Sequence, residues 1–307
     1  MEGMIRMTEE YALFLGCVIP TRLPHTEKSA RQVLDMLDIK LLEMDKASCC
    51  GDPIATQSLS VEMWVTIAAR NICIAESMGK DILTICSGCF EVLRTANTLL
   101  AEDTNLKERV NLRLKDIGME YKGTSKVYHY LEIISKPEYL EKIKALSKNP
   151  LKDIRISSHY ECHLVRPSEI IQFENPERPS SMDKIIKALG GTPVDTPEKL
   201  SCCGYCVKLD ESVGEKLVKD KILDLQHNDI DTMAVVCPSC FLQYNQQQRA
   251  INKLTDQEFG GKKEDREKLN TPVLFLTELI AIAFGLPVKK LGLKRRAIKP
   301  KKLLSKI

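Results

Sequence analysis

Residues 48–51 read SCCG, and residues 201–204 read SCCG again, 153 positions later. Adjacent cysteines are uncommon, so the same tetrapeptide twice asks what needs two neighbouring thiols in two places. Working outward, Cys17 stands ahead of the first pair (Cys49, Cys50) and Cys86-Ser-Gly-Cys89 follows it. Cys162 stands ahead of the second pair (Cys202, Cys203) and Cys237-Pro-Ser-Cys240 follows it. The order is one thiol, an adjacent pair, then CxxC, and the offsets between copies are 145, 153, 153, 151 and 151. The flanks repeat too: GCVIP with ECHLVRP, DKASCCG with EKLSCCG, DILTICSGCFEVL with DTMAVVCPSCFLQY. This is an internal duplication of a unit much longer than a solenoid repeat of about 20–50 residues. Two like domains are expected, 1–149 and 150–288, joined near Ser147–Lys152 where Asn149 and Pro150 mark a linker. A basic tail, 289–307, follows.

Each half alternates short β-rich runs with amphipathic helical stretches. In the first half YALFLGC, IKLLEMD and DILTICS read as strands, with helices over about Glu27–Leu37 and over SVEMWVTIAARNICIAESMG, where Gly79 suits a helix end. In the second half DIRISSHYEC, TPVDTP and MAVVCPSC play the same three parts, separated by SMDKIIKALGG and ESVGEKLVKDKILDLQHND. Alternation of this kind predicts an α/β fold: two duplicated Rossmann-like parallel-sheet domains. Every patterned cysteine then falls just past the carboxyl end of a strand, where such sheets bind ligands, and the expectation is that the two sites face the domain interface. Each CxxC opens a helix, with Pro238 at a first helical position that needs no N–H donor. Cys73 lies inside a helical stretch and reads as a small apolar residue. Cys206 lies outside the pattern, as a spectator or auxiliary thiol.

Composition sets the limits. The 307 residues are 43% hydrophobic and 28% charged, enough for two cores. No secretory leader is visible, so a cytoplasmic setting with reduced thiols is expected, and the 12 cysteines point to metal or redox chemistry rather than a disulfide framework. The most apolar stretch, PVLFLTELIAIAFGLPV, is too short to span a bilayer and contains Glu278; it reads as a buried strand and helix. Net charge is +3, but residues 289–307 hold nine Lys or Arg and no acid. That run reads as a solvated tail or as a docking arm for an acidic partner. Without interleaved aromatics or a known module it does not read as a nucleic-acid binder. Nucleotide-binding glycine motifs are absent.

Five patterned thiols per half exceed the four ligands of a structural zinc site and the four cysteines of an ordinary cubane. Neighbouring cysteines cannot easily clasp one iron, but from a turn they can reach two. An iron–sulfur cluster of unusual shape is the reading of the pattern; zinc, a vicinal disulfide or a redundant thiol are its alternatives. His163 beside Cys162, and His159 three residues before it, are candidate proton donors. Arg22 and Arg166, four or five residues past Cys17 and Cys162, are candidates for anionic substrate groups, with Lys208 a further one.

The doubled C…CCG…CxxC pattern resembles the CCG-domain family. LFLGCVIP, ECHLVRP, NPERP, VVCPSCF and PVLFLTELIAIAFG make the wider match similar to the B subunits of heterodisulfide reductase from methanogenic archaea. That resemblance implies two non-cubane [4Fe–4S] clusters: one held by Cys17, Cys49, Cys50, Cys86 and Cys89, the other by Cys162, Cys202, Cys203, Cys237 and Cys240. It implies a catalytic subunit that reduces the mixed disulfide CoM–S–S–CoB to two thiols, two one-electron centres matching the two electrons required. It implies partners in a larger electron-transfer complex, the iron–sulfur and flavin subunits of heterodisulfide reductase. The alternative within the family is an electron-transfer subunit of another oxidoreductase, of the glycolate, lactate or succinate type.

Overall fold

A computed structural model describes residues 9–207, 210–254, 267–293 and 296–305. The chain divides into two compact units, residues 1–133 with 169–171, and residues 134–168 with 172–307. In the first, the elements in chain order are β1 (Glu9–Phe14), α1 (Val18–Arg22), α2 (Pro24–Met36), β2 (Ile39–Glu43), α3 (Ala55–Leu59), α4 (Val61–Ser77), β3 (Ile82–Thr84), α5 (Ser87–Glu102), α6 (Thr104–Lys115), β4 (Val127–His129) and α7 (Tyr130–Ile134). The remaining elements are α8 (Pro137–Leu146), β5 (Arg155–Ser158), α9 (Cys162–Val165), α10 (Ser168–Ile171, of which 169–171 belong to the first unit), α11 (Ser181–Ala188), β6 (Thr192–Pro193), α12 (Glu211–His227), β7 (Thr232–Val235), α13 (Pro238–Ile251), β8 (Val273–Phe275), α14 (Leu276–Ala283) and α15 (Lys301–Ser305).

Each unit holds a four-stranded, all-parallel sheet, in order β2-β1-β3-β4 and β6-β5-β7-β8. The duplication extends to register: Ala12 pairs with Ile82 in the first sheet, and Ser157 with Met233 in the second. Central strands read as unbroken buried runs, ILT in β3 and TMAV in β7, because helices cover both faces of a parallel sheet. The order reverses between β1 and β3, and between β5 and β7. That switch point, at the carboxyl ends of the strands, is the place where doubly wound sheets take ligands.

Local chemistry explains the helix limits. Pro24 starts α2 at a first-turn position, earlier than the apolar pattern alone suggests. Ser60 caps α4 by accepting the Met63 N–H at 3.2 Å, and the helix ends at Gly79, whose φ of +62° a side chain would resist. Trp64 of α4 is fully buried, a contribution of about 2–3 kcal/mol from apolar area alone. PVLFLTELIAIAFGLPV does form a buried strand and helix, β8 and α14. Strand β4 carries no such signal, being three residues long.

Two stretches differ from their sequence reading. The segment read as a linker is tied down: the Asn149 N–H donates to the Ala283 carbonyl and the Leu151 N–H to the Leu189 carbonyl, both at 2.8 Å. It is packed within the second unit, and α8 before it lies against α11. The described part of the basic tail is not a solvated arm. Leu291, Leu293 and Leu303 are buried, and Arg296 forms an ion pair with the buried Glu278 and lies 4.3 Å from the centre of the Phe241 ring. The same constellation exists in the first unit, where Arg94 of α5 pairs with Glu132 at 2.6 Å and covers Phe90. Asn245 stands in the second unit where Arg94 stands in the first, so the tail supplies the missing arginine. Asn245 Oδ1 accepts the Ala297 N–H and helps seat it.

Candidate metal centres

The first thiol set gathers at the switch point between β1 and β3. Cys17 follows β1 and precedes α1; Cys49 and Cys50 follow β2; Cys86 is the N-cap of α5, and Cys89 lies in its first turn. Contacts run in one order, Cys17–Cys49–Cys50–Cys89–Cys86, with Cys17 and Cys49 Sγ 4.0 Å apart. The second set repeats it as Cys162–Cys202–Cys203–Cys240–Cys237, with Cys203 and Cys240 Sγ 3.2 Å apart. Among the described residues no two cysteines are joined in a disulfide. In each set three sulfurs are buried, while Cys17, Cys49 and Cys202 are exposed and Cys162 half-buried. Each set therefore has a closed back and an open edge. Cys73 is buried in α4 and Cys206 exposed, and neither joins a set.

Backbone geometry holds the adjacent pairs. Gly51 and Gly204, the glycines of the two SCCG loops, take φ of +110° and +77°, a turn that resists a side chain. That turn aims amides back at sulfur: the Gly204 N–H points at Cys202 Sγ (3.4 Å) and the Tyr205 N–H at Cys203 Sγ (3.5 Å). The Cys89 N–H points at Cys86 Sγ (3.4 Å), the capping bond of α5. Gly16 is required for another reason. With φ at +68°, a Cβ there would lie 2.6 Å from Cys89 Sγ.

Electrostatics shows what the sets lack. Contact with Cys17, then with Cys50, and the N–H groups of Gly51 and Asp52 lower the Cys49 pKa to about 2. Contact with Cys162, then Cys203, and the Gly204 N–H do the same for Cys202, to about 2. The others resist ionisation. The Cys49 neighbour and burial push Cys17 far up; the Cys49 neighbour raises Cys50 to about 12; Cys89 rises through Cys50, Cys86 and burial. Cys162, Cys203 and Cys240 rise for the same reasons. Crowded, buried thiols that cannot ionise together are a donor set matched to a centre that supplies positive charge. Five sulfurs in contact around one switch point fit an iron–sulfur cluster, whose protein ligands are thiolates.

The remaining sequence candidates occupy different places. His163 lies in α9, half-buried, next to Cys162. Arg22 is exposed at the end of α1, and Arg166 is exposed after α9, 3.4 Å from Glu177. Lys208 lies outside the described residues. His159 is buried behind the second set, edge-on to Tyr244 at 4.9 Å, and burial lowers its pKa to about 3, so the ring is neutral.

Three supporting residues escaped the sequence reading. Asn71 of α4 accepts the Ser48 N–H (2.9 Å) and donates to the Cys49 carbonyl (3.1 Å), fixing the first SCCG loop. At the same register of α12, Lys221 donates from Nζ to the Glu198 carbonyl (2.5 Å), steadying the approach to the second loop; burial lowers its pKa to about 8. Glu161 accepts the Val236 and Cys237 N–H groups at 2.8 and 3.0 Å, and burial followed by Cys237 raises its pKa to about 8. A polar residue on an otherwise apolar helix face was the available signal for Asn71 and Lys221.

Two parallel α/β units, each gathering five thiols at its switch point, define a class of tandem cysteine-cluster proteins. The chain belongs to the family of the cysteine-rich (CCG) domain, which matches residues 11–94 and 156–245. It is 34% identical over 299 residues, 96% of each chain, to the B subunit of the ferredoxin/F420H2-dependent CoB-CoM heterodisulfide reductase of Methanosarcina acetivorans. It is 33% identical over 300 residues, 97% of this chain and 100% of the other, to the "8-methylmenaquinol:fumarate reductase membrane anchor subunit" of Wolinella succinogenes. Among the described residues, no helix is long and apolar enough to cross a membrane. A solved structure of a hypothetical protein from Helicobacter pylori shares the fold at a TM-score of 0.74 with 16% identity, over 95% of this chain and 52% of that one. This chain thus spans about half of that chain's length.

Proposed function

We propose that this chain is the disulfide-reducing subunit of a heterodisulfide reductase, acting on CoM–S–S–CoB with two non-cubane [4Fe–4S] clusters. The observation that carries the reading is the repeat of one contact order among five thiols in both units. The similarity to the Methanosarcina reductase subunit supports the substrate. Cleavage of the disulfide consumes two electrons and two protons and releases two thiols. Iron–sulfur clusters bound by the two sets supply electrons one at a time. The chain's own residues do the rest. The exposed sulfurs Cys17, Cys49 and Cys202, with half-buried Cys162, leave an open edge on each set where substrate arrives. Arg22 and Arg166, exposed five and four residues past Cys17 and Cys162, offer planar forks to sulfonate, phosphate or carboxylate. The exposed Arg166–Glu177 pair is weak enough to yield to a substrate anion. Lys208 adds a cation after the second SCCG loop, and His163, beside Cys162, hands a proton to a departing thiolate. Buried His159 faces the second set from behind. Electrons reach the chain from the iron–sulfur and flavin subunits of the reductase within a cytoplasmic complex.

The test is turnover of CoM–S–S–CoB by anaerobically iron-loaded protein with an artificial electron donor, against unrelated disulfides. Two thiols released per two electrons, with preference for CoM–S–S–CoB, is the expected result. Iron-loaded protein that passes electrons from the donor to an artificial acceptor but turns over no disulfide would favour a second reading, an electron relay within another oxidoreductase. The similarity to a fumarate reductase subunit supports that reading.

A further inference from the structure

The two thiol sets match, but what stands behind them does not. Strand register places Phe14 and His159 at equivalent positions, one step past the pairings of Leu13 with Leu83 and of Ser158 with Ala234. Two residues on, Gly16 and Glu161 correspond, and Leu93 of α5 corresponds to Tyr244 of α13. At these three positions the first unit presents two hydrocarbon side chains and a bare backbone, the second an imidazole, a carboxyl group and a phenol. All three are buried. A ring nitrogen of His159, a carboxyl oxygen of Glu161 and Cys240 Sγ lie within 4.8 Å of one another. Neither ring nitrogen of His159, nor Glu161 Oε2, has a hydrogen-bond partner among the described residues. Leaving a buried donor unpaired is costly, so such groups persist where something takes the bond. Cys240 Sγ, of the second set, is the sulfur within that reach.

We propose that His159 donates a hydrogen bond to sulfur of the second iron–sulfur centre and raises that centre's reduction potential above what a hydrocarbon at the same position would give. The inference rests on the reading of both thiol sets as cluster ligands. Hydrogen bonds to cluster sulfur are among the factors that set reduction potential, because they stabilise the more negative, reduced state. Glu161 is a positioning residue. Its Oε1 fastens the loop before Cys162 to the N–H groups of Val236 and Cys237, which fixes the ring's distance from Cys240. Phe14 has no N–H to offer, so the first centre lacks a donor at this position. The side chain at this one position then tunes the second centre separately from the first.

The experiment is a potentiometric titration of the full, anaerobically iron-loaded chain, followed by electron paramagnetic resonance, with iron and sulfide measured on each sample. Two midpoints are expected in the unaltered protein. His159→Phe, which copies the first unit, should lower one midpoint and leave the other unmoved at unchanged iron content. His159→Gln, which keeps an N–H, should restore part of the shift, and His159→Leu serves if the phenyl ring cannot be seated. Unmoved midpoints at full iron content, or both moving together, would overturn the proposal and leave the cluster reading intact. So would loss of second-centre iron in every variant, Gln included, since the ring would then act in assembly and not in tuning. Absence of iron and sulfide from the unaltered chain would overturn the cluster reading itself, and this inference with it.

Discussion

Behind Cys17 the chain passes Phe14 and turns on Gly16; behind Cys162, at the same register, it passes His159 and Glu161. The SCCG loop of the first unit is pinned by the amide of Asn71, and the approach to the second by the ammonium group of Lys221. In the first unit Arg94 comes from α5, and in the second Arg296 comes from the far end of the chain. The walls of the two centres are copies while their supports have diverged. Ligand spacing is set by the metal group and tolerates no drift. A support need only satisfy local hydrogen bonds, and several chemistries can do that. Divergence of the supports is therefore the route by which two like centres acquire unlike properties.

The sharpest way to break the comparison is to remove one buried thiol from each wall. Cys50→Ser and Cys203→Ser each take out a sulfur that bridges its neighbours in the contact order. Each variant should lose one centre and keep the other, so that about half of the iron remains by elemental analysis. Loss of all iron from either single variant would show that the units do not load independently.

Next in size come the two arginines. Arg296 and Glu278 are 8% and 0% exposed, and breaking a buried pair leaves an uncompensated charge. Arg296→Ala should cost about 3–5 kcal/mol in denaturant unfolding. Arg94 is 24% exposed, and Arg94→Ala should cost less, about 1–3 kcal/mol. Equal losses would mean that the tail contributes no more than the helix it replaces.

These two arginines also mark how far the sequence could be read. The duplication, the parallel sheets and the two thiol sets were legible because each leaves a repeating signal: strand-length apolar runs, SCCG, and CxxC at a helix start. The tail was misread because nine basic residues in nineteen look solvated. Three leucines and one arginine seated over Phe241 decide the matter, and that seat exists only after folding. Strand β4 hid for want of length. Glu161 hid because its partners, the amides of Val236 and Cys237, are backbone groups with no trace in side-chain pattern.

Gly16 tests the first unit at its closest approach. Ala there would meet Cys89 Sγ at 2.6 Å in a left-handed conformation. Conformational strain of about 1–2 kcal/mol and overpacking of about 1–3 kcal/mol should together weaken iron retention in the first centre only. The matching change in the second unit, Glu161→Gly, removes a side chain where Gly16→Ala adds one. It should leave the Val236 and Cys237 N–H groups unpaired at about 1–3 kcal/mol, with iron loss confined to the second centre.

The smallest effect at neutral pH separates Asn71 from Lys221. Burial lowers the Lys221 pKa to about 8 from 10.5, so the folded protein releases this proton before the unfolded chain does. Below pH 8 the lysine is charged in both states, and its burial weighs against folding. Between pH 8 and 10.5 the unfolded chain binds the extra proton, so stability attributable to this group rises with pH, by about 1 kcal/mol per unit. Lys221→Met loses the bond to the Glu198 carbonyl but also the buried charge, and near pH 7 these oppose each other. Compared from pH 7.0 to 9.5 by denaturant midpoint, wild type should gain on Lys221→Met only above about pH 8. Asn71→Ala, which removes no titrating group, should track wild type at a fixed offset over the same range. A difference between wild type and Lys221→Met that stays flat across pH 8 would mean the ammonium is not desolvated, and that the two loop supports differ in shape alone.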